Sequence, residues 1–318
     1  MPPSRRTFLA TASLAGASLL LPKHQIFAQT PPAPAPQSNG ARIKLGIATY
    51  SYWHFTTNRV SITDVIEKTA ALGLEGVDVL HRQMPNGKDE DNAYLQDIKR
   101  NAFLNGIDLI CLSMHQNFVS KDPEYRQRNI NHTLKCIEIA YKLGIPCMRI
   151  NAGQWNTRKN FDDLMAHRGH EVIPEGLTED DGFKWAIDCI EKCLPKAAEC
   201  GVLLALENHW GLSGTPEGML RIHKAINSPW LQLLVDTGNF LEDPYDKIEK
   251  VLPHACYVQA KTYFGGGEWY TLDLDYKRII NMMKARNYHG YLGIEFEGKA
   301  PADEGVRKSI EMLRAAMA

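Results

Sequence analysis

The chain has 318 residues, 44% of them apolar and 23% charged, with a formal net charge of −1. That size suits one large globular domain or two small ones with a substantial core, and the near-zero charge leaves no electrostatic case for nucleic acid or an anionic membrane as partner. Seven cysteines include no CxxC pair, which argues against a thiolate zinc site.

Ser4-Arg5-Arg6-Thr7-Phe8-Leu9 precedes an apolar run from Leu9 to Leu21 that is too short for an ordinary spanning helix. It reads as a twin-arginine export signal over residues 1–29, which implies a periplasmic location. Ala28 is a candidate last residue, but Ile26 before it is not small, so a retained membrane anchor stays open. Residues 30–41, including PPAPAPQSNG, read as a Pro-rich linker. The folded domain is expected over 42–318.

From there strand-like and helix-like segments alternate to the end. Ile43 to Tyr50 reads as a strand, then Ile62 to Leu72 as a helix. Gly76 to Leu80, Ile107 to Ser113 and Pro146 to Asn151 read as strands two to four, with helices at Asp91 to Leu104 and Pro123 to Leu143 between them. A polar stretch from Ala152 to about Glu179 exceeds ordinary loop length, which marks a functional cover or an insertion. Asp181 to Cys200 is helical and Gly201 stops it. Strands five to eight are Val202 to Glu207, Leu231 to Asp236, Ala255 to Lys261 and Gly290 to Phe296. Helices follow at Thr215 to Asn227, Pro244 to Leu252, Asp275 to Arg286 and Glu304 to Met317. Eight strand–helix units of this length predict an α/β fold, a single-domain (β/α)8 TIM barrel, with its chemistry at the carboxyl ends of the strands. No GxGxxG follows the first strand, which weakens a dinucleotide-binding alternative.

Three of the later strands end in acids. Leu203-Leu204-Ala205-Leu206 runs into Glu207, Leu233-Leu234-Val235 into Asp236, and Leu292-Gly293-Ile294 into Glu295. The strand between the last two carries Gln259 and ends at Lys261. Burying one unpaired carboxylate costs several kcal/mol, so several at successive strand ends suggest a common site that holds a cation.

The runs Leu206-Glu207-Asn208-His209, Val235-Asp236-Thr237-Gly238-Asn239, Val258-Gln259-Ala260-Lys261 and Gly293-Ile294-Glu295-Phe296-Glu297 resemble the xylose-isomerase-like barrel superfamily of sugar (phosphate) isomerases and epimerases. Gly73-Leu74-Glu75-Gly76-Val77-Asp78 resembles that family's second strand. The resemblance implies one divalent metal held by Glu, Asp, His and Glu at the ends of strands five to eight. Glu207, Asp236 and Glu295 match; Gln259 stands where histidine is expected. An amide oxygen favours Mn²⁺ or Mg²⁺ over Zn²⁺, or marks a weakened or lost site. The DNA-repair branch of the superfamily would carry a histidine at Asn239.

By the same resemblance Glu207 and Glu295 are ligands and acid/base groups at once, moving a proton beside a carbonyl through an enediolate. His209, Lys261, His115, His81, Arg149 and Asn151 stand at or just past strand ends and are expected to bind substrate oxygens; the alternative for Lys261 is to balance the acids, and for the others a structural role. Glu297 is expected to support Glu295. Tyr50, Tyr52, Trp53, Trp155, Trp210, Tyr263 and Trp269 are candidates for stacking on a sugar, some of them ordinary packing. Three functions follow: an isomerase or epimerase of an unphosphorylated sugar or keto-sugar, a lyase or hydrolase of 3-keto-glycosides, or a non-catalytic sugar-binding protein. A homo-oligomer is left open.

Overall fold

The computed structural model describes residues 40–55 and 58–318. The expected export signal, its anchor and nearly all of the linker lie outside them. Among the described residues no helix is long and apolar enough to cross a membrane.

Eight parallel strands close a barrel in chain order: β1 (Arg42–Ala48), β2 (Gly76–Leu80), β3 (Asp108–Ser113), β4 (Cys147–Ile150), β5 (Leu203–Glu207), β6 (Leu231–Asp236), β7 (Ala255–Thr262) and β8 (His289–Phe296). The helices are α1 (Ile62–Ala71), α2 (Asn92–Leu104), α3 (Pro123–Leu143), α4 (Phe161–Ala166), α5 (Glu179–Cys200), α6 (Pro216–Ile226), α7 (Pro244–Val251), α8 (Tyr276–Ala285) and α9 (Ala302–Met317). The expected TIM barrel is therefore the fold, with most boundaries within two residues.

Local chemistry explains the boundaries. Ser61, Asp91 and Asp122 accept from backbone N–H groups at the starts of α1, α2 and α3, and Pro123 occupies the first turn of α3. Thr178 and Asp181 form a capping box that starts α5 two residues before the expected point. Gly144 and Gly201 close α3 and α5 in the left-handed conformation. The first strand was expected to reach Tyr50 but stops at Ala48. There the chain winds into a 3₁₀ turn, and Thr49 Oγ1 accepts from Leu80 N at 2.9 Å.

The main apolar core fills the layer between strands and helices. A smaller cluster of Ile110, Cys111, Ala205, Leu234 and Tyr257 plugs the barrel interior. A third unites Leu164, Met165 and Trp210 with Phe161, Trp269 and Tyr270. It is built from α4 and the loops after β5 and β7, so the long polar stretch contributes to a roof rather than to the barrel.

Candidate active site

The strand register brings the acids together. Asp236 on β6 pairs with Gln259 on β7, Gln259 with Gly293 on β8, and Lys261 with Glu295. Between β5 and β6 a side chain replaces main-chain pairing. Asn208 Nδ2 donates to the Asp236 carbonyl at 2.8 Å, and its Oδ1 accepts from Asp236 N at 2.7 Å. Just before Asp78 the β2–β3 register shifts, and such irregularities re-aim side chains. Asp78 Oδ2 accepts from Ser113 Oγ (2.9 Å), Gln259 Nε2 (3.0 Å) and Tyr257 Oη (3.3 Å).

Two cations are buried among these acids. Lys261 Nζ lies 3.0 Å from Asp236 Oδ2, 3.1 Å from Glu295 Oε2 and 3.9 Å from Glu297 Oε2, and donates to Asn239 Oδ1 at 2.8 Å. Arg149 Nε lies 3.4 Å from Glu207 Oε2 and Nη1 3.8 Å from Glu295 Oε1. Asn239 Nδ2 also donates to Glu207 Oε1 at 3.2 Å, so one amide links the Lys261 and Arg149 halves. Tyr50 Oη donates to Glu297 Oε1 at 2.7 Å, and Glu297 shares Lys261 with Glu295.

Five carboxylates (Asp78, Glu207, Asp236, Glu295, Glu297) thus face two buried cations, and the imbalance shows in their acidities. Burial, followed by the nearby Glu295 charge, outweighs Arg149 and pushes Glu207 up to about 7. Burial raises Asp78 to about 6 and lifts Asp236 and Glu297 as well. Glu295 goes the other way. Burial opposes its charge, but Lys261 and Arg149 prevail and hold it down to about 2. Burial, Arg149 and Lys261 lower His209 to about 3, and burial with Arg149 and Arg82 lowers His115 well below its ordinary value, so both rings are neutral.

Above the acids opens a cavity of about 490 Å³. Glu207, Glu295, His209, Lys261, His115, Arg149 and Asn151 all line it. Asp236 and Gln259 lie beneath its floor, fully buried. His81 departs from expectation. It does not line the cavity, because the chain turns into a 3₁₀ segment at His81–Gln83, and Arg82 takes the lining place. The His81 ring turns to Asp89, with Nε2 3.3 Å from Oδ2. Of the aromatic candidates, Tyr50, Trp210 and Trp269 line the cavity. Trp155 packs edge-on against Trp185, while Tyr52 and Tyr263 are buried outside the lining, Tyr263 against Tyr270.

Several lining residues went unnoticed in the sequence. Asp78 sits inside a short strand buried throughout, where nothing in the spacing marks it as a site residue. Gln116 donates to the Asn151 carbonyl at 2.7 Å, and Phe55 and Phe161 complete the aromatic wall. Asn239, noted in the sequence only as the position of the DNA-repair histidine, lies outside the lining and links Glu207 to Lys261.

The donor chemistry fits a hard cation. Glu207 Oε2, Asp236 Oδ2 and Gln259 Oε1 are buried acceptors that take no hydrogen bond, although Arg149 and Lys261 stand within ion-pair distance of the first two. Together with Glu295 they form an all-oxygen set, and the surplus of negative charge is what a divalent ion would neutralise. Among the described residues, however, the His, Cys, Asp and Glu ligand atoms found within 4.8 Å of one another belong to His81, His132 and Cys136. Closing the mouth acids on one ion therefore takes side-chain movement.

Comparisons with known proteins agree with this architecture. A protein of Haemophilus influenzae assigned as an L-ribulose-5-phosphate 3-epimerase is 26% identical over 211 residues, which cover 58% of this chain and 64% of the relative. The match therefore spans less than two thirds of that protein's length. The D-psicose 3-epimerase of Clostridium cellulolyticum superposes with a TM-score of 0.66 at 16% identity, over 86% of this chain and 99% of that one. The 3-keto-D-glucoside 4-epimerase of E. coli does so with 0.66 at 14%, over 86% and 100%. At such identities these structures establish the fold. The family model described as a xylose isomerase-like TIM barrel matches residues 66–316, and it is to this family that the chain belongs.

Proposed function

We propose that the chain is an isomerase or epimerase of an unphosphorylated sugar or keto-sugar. The observation that carries this reading is the pair Glu207 and Glu295, two buried carboxylates on one cavity with acidities pushed in opposite directions. Such divergence separates acid from base. Glu295, kept as a carboxylate, takes a proton from the carbon beside the substrate carbonyl. Glu207, whose acidity burial weakens, returns one to the neighbouring carbon or the opposite face. The negative oxygen formed between the two transfers is stabilised by Arg149 and Lys261, which adjoin these carboxylates. His115 and His209, held neutral, present hydrogen-bonding ring nitrogens to hydroxyl groups, and Asn151 adds its amide. Tyr50, Trp210 and Trp269 supply flat apolar faces for a sugar ring.

Glu207, Asp236, Gln259 and Glu295 would hold a divalent ion, Mn²⁺ or Mg²⁺ before Zn²⁺. When bound, it would polarise the substrate carbonyl and offset the acid surplus. The epimerase named for the Haemophilus relative supports the reaction class; an unphosphorylated substrate is preferred here because no glycine-rich phosphate-binding loop stands out in the chain.

The test is deuterium exchange. The purified protein, with Mn²⁺ and with a chelator, is incubated in D₂O with free ketoses and with 3-keto-glycosides. Solvent deuterium should enter beside the carbonyl in the presence of metal, and both Glu207→Gln and Glu295→Gln should abolish it. Release of an alcohol or a second sugar from the keto-glycoside would convert the reading to a lyase. Binding without exchange from any of these compounds would leave a sugar-binding protein and sink the proposal.

A further inference from the structure

A cluster of nitrogen and sulfur ligands lies outside the cavity lining, and nothing in the chemistry above uses it. His81 follows β2, while His132 and Cys136 stand four residues apart on α3, one turn on a shared face. Each offers one ligating atom, and the three atoms lie within 4.8 Å of one another. Cys136 Sγ is 3.9 Å from His132 Nε2, and the two imidazole rings are 5.2 Å apart. Metal bonds of about 2.0–2.1 Å to nitrogen and about 2.3 Å to sulfur put neighbouring ligands of a tetrahedral ion roughly 3.5 Å apart. The Cys136–His132 pair is therefore close to the spacing of a formed site, and the His81 atom, within 4.8 Å of both, has about an ångström to close. A fourth donor is at hand in Asp89, whose Oδ2 is 3.3 Å from His81 Nε2 and 2.8 Å from Lys135 Nζ. If Asp89 turns towards an ion, Lys135 keeps Glu90 at 2.6 Å. Cys136 is fully buried, while the His81 and Asp89 side chains are 13% and 16% exposed, which leaves an entry from solvent.

We propose that His81, His132 and Cys136, completed by Asp89 or a water, form a second metal site that takes a borderline-soft divalent ion, Zn²⁺ above all. Thiolate and imidazole select that class, whereas the oxygen-only mouth suits Mn²⁺ or Mg²⁺. One thiolate and one carboxylate also balance the charge of a dication. The ion would tie α3 to the segment His81–Gln83, and so fix the backbone that carries Arg82 into the active cavity.

The experiment is titration of the full, metal-stripped protein with Co²⁺ as a spectroscopic substitute for Zn²⁺. The expected result is one equivalent bound with a thiolate-to-cobalt charge-transfer band, displaced by Zn²⁺. The band should vanish in Cys136→Ser, and in His132→Gln the apparent affinity should fall about tenfold or more. Oxygen ligands give no such band, so occupancy of the mouth cannot imitate the result, and failure of the sugar reading would not change it. The proposal is overturned if saturating Co²⁺ gives no thiolate band, or if the band survives Cys136→Ser. Because His132 is only half-buried, His132→Gln decides the matter should Cys136→Ser not fold; unchanged affinity there overturns the proposal equally.

Discussion

Replacing Lys261 by methionine tests the electrostatics of the mouth most directly. Methionine keeps most of the apolar stem and opens little cavity, so the loss is mainly that of the ammonium. That group stands 3.0 Å from Asp236 and 3.1 Å from Glu295, with Glu297 at 3.9 Å. At an effective dielectric constant of about 20, two such contacts are worth roughly 5 kcal/mol each before desolvation is subtracted. Breaking a buried pair by removing one partner costs about 3–5 kcal/mol net. Urea denaturation with a chelator present, so that no metal substitutes for the lost charge, should show a deficit of that size at pH 7. The sign of the pH effect follows from the acids left behind. Without Lys261 the folded-state pKa values of these acids rise, so the penalty is absent at low pH and grows as pH rises. The deficit at pH 5 should therefore be smaller than at pH 7. A loss under about 1 kcal/mol at pH 7, or a deficit that widens on acidification, would show that Lys261 does not neutralise the site.

Three further outcomes are expected. Glu207, pushed up to about 7 by burial, penalises the folded state as pH rises from its ordinary value of 4.5. In chelator, the stability of Glu207→Gln relative to wild type should thus climb by about 3 kcal/mol between pH 4.5 and 7.5, and a flat difference would refute the shift. Gly169 has a φ of +77°, and a Cβ there would stand 2.4 Å from Trp210 Cδ1. Gly169→Ala should cost about 1–3 kcal/mol, shift tryptophan fluorescence and raise KM more than it lowers kcat; unchanged fluorescence would exclude the contact. Thr178→Ala removes the capping box of α5 and should cost about 1 kcal/mol in thermal unfolding while leaving kcat alone.

The barrel was legible because each buried strand is a short apolar run set off by helix caps and glycines, and those signals are local. Glu207, Asp236, Glu295 and Lys261 were legible for the same reason: an ionisable group that ends an apolar run must find partners. His81 was misplaced because alternation predicts a side chain's direction only while the chain stays extended, and the chain coils at that residue. Asp78 was overlooked because its partners, Tyr257 and Gln259, lie about 180 positions away. The wall made by Phe161 was hidden in a stretch that reads as merely polar, since a single aromatic on a short helix has no periodicity to betray it.

Asn208 has a consequence for how such a barrel can change over time. Its amide imitates a peptide group at the point where β5 and β6 begin to part, and it fastens the Asp236 backbone from both sides. The alignment of Glu207 with Asp236 is therefore held by the β5–β6 ladder and this one side chain rather than by the connections that follow. Those connections can lengthen, shorten or exchange aromatics without disturbing the acids below. One acid-lined floor can therefore carry many roofs.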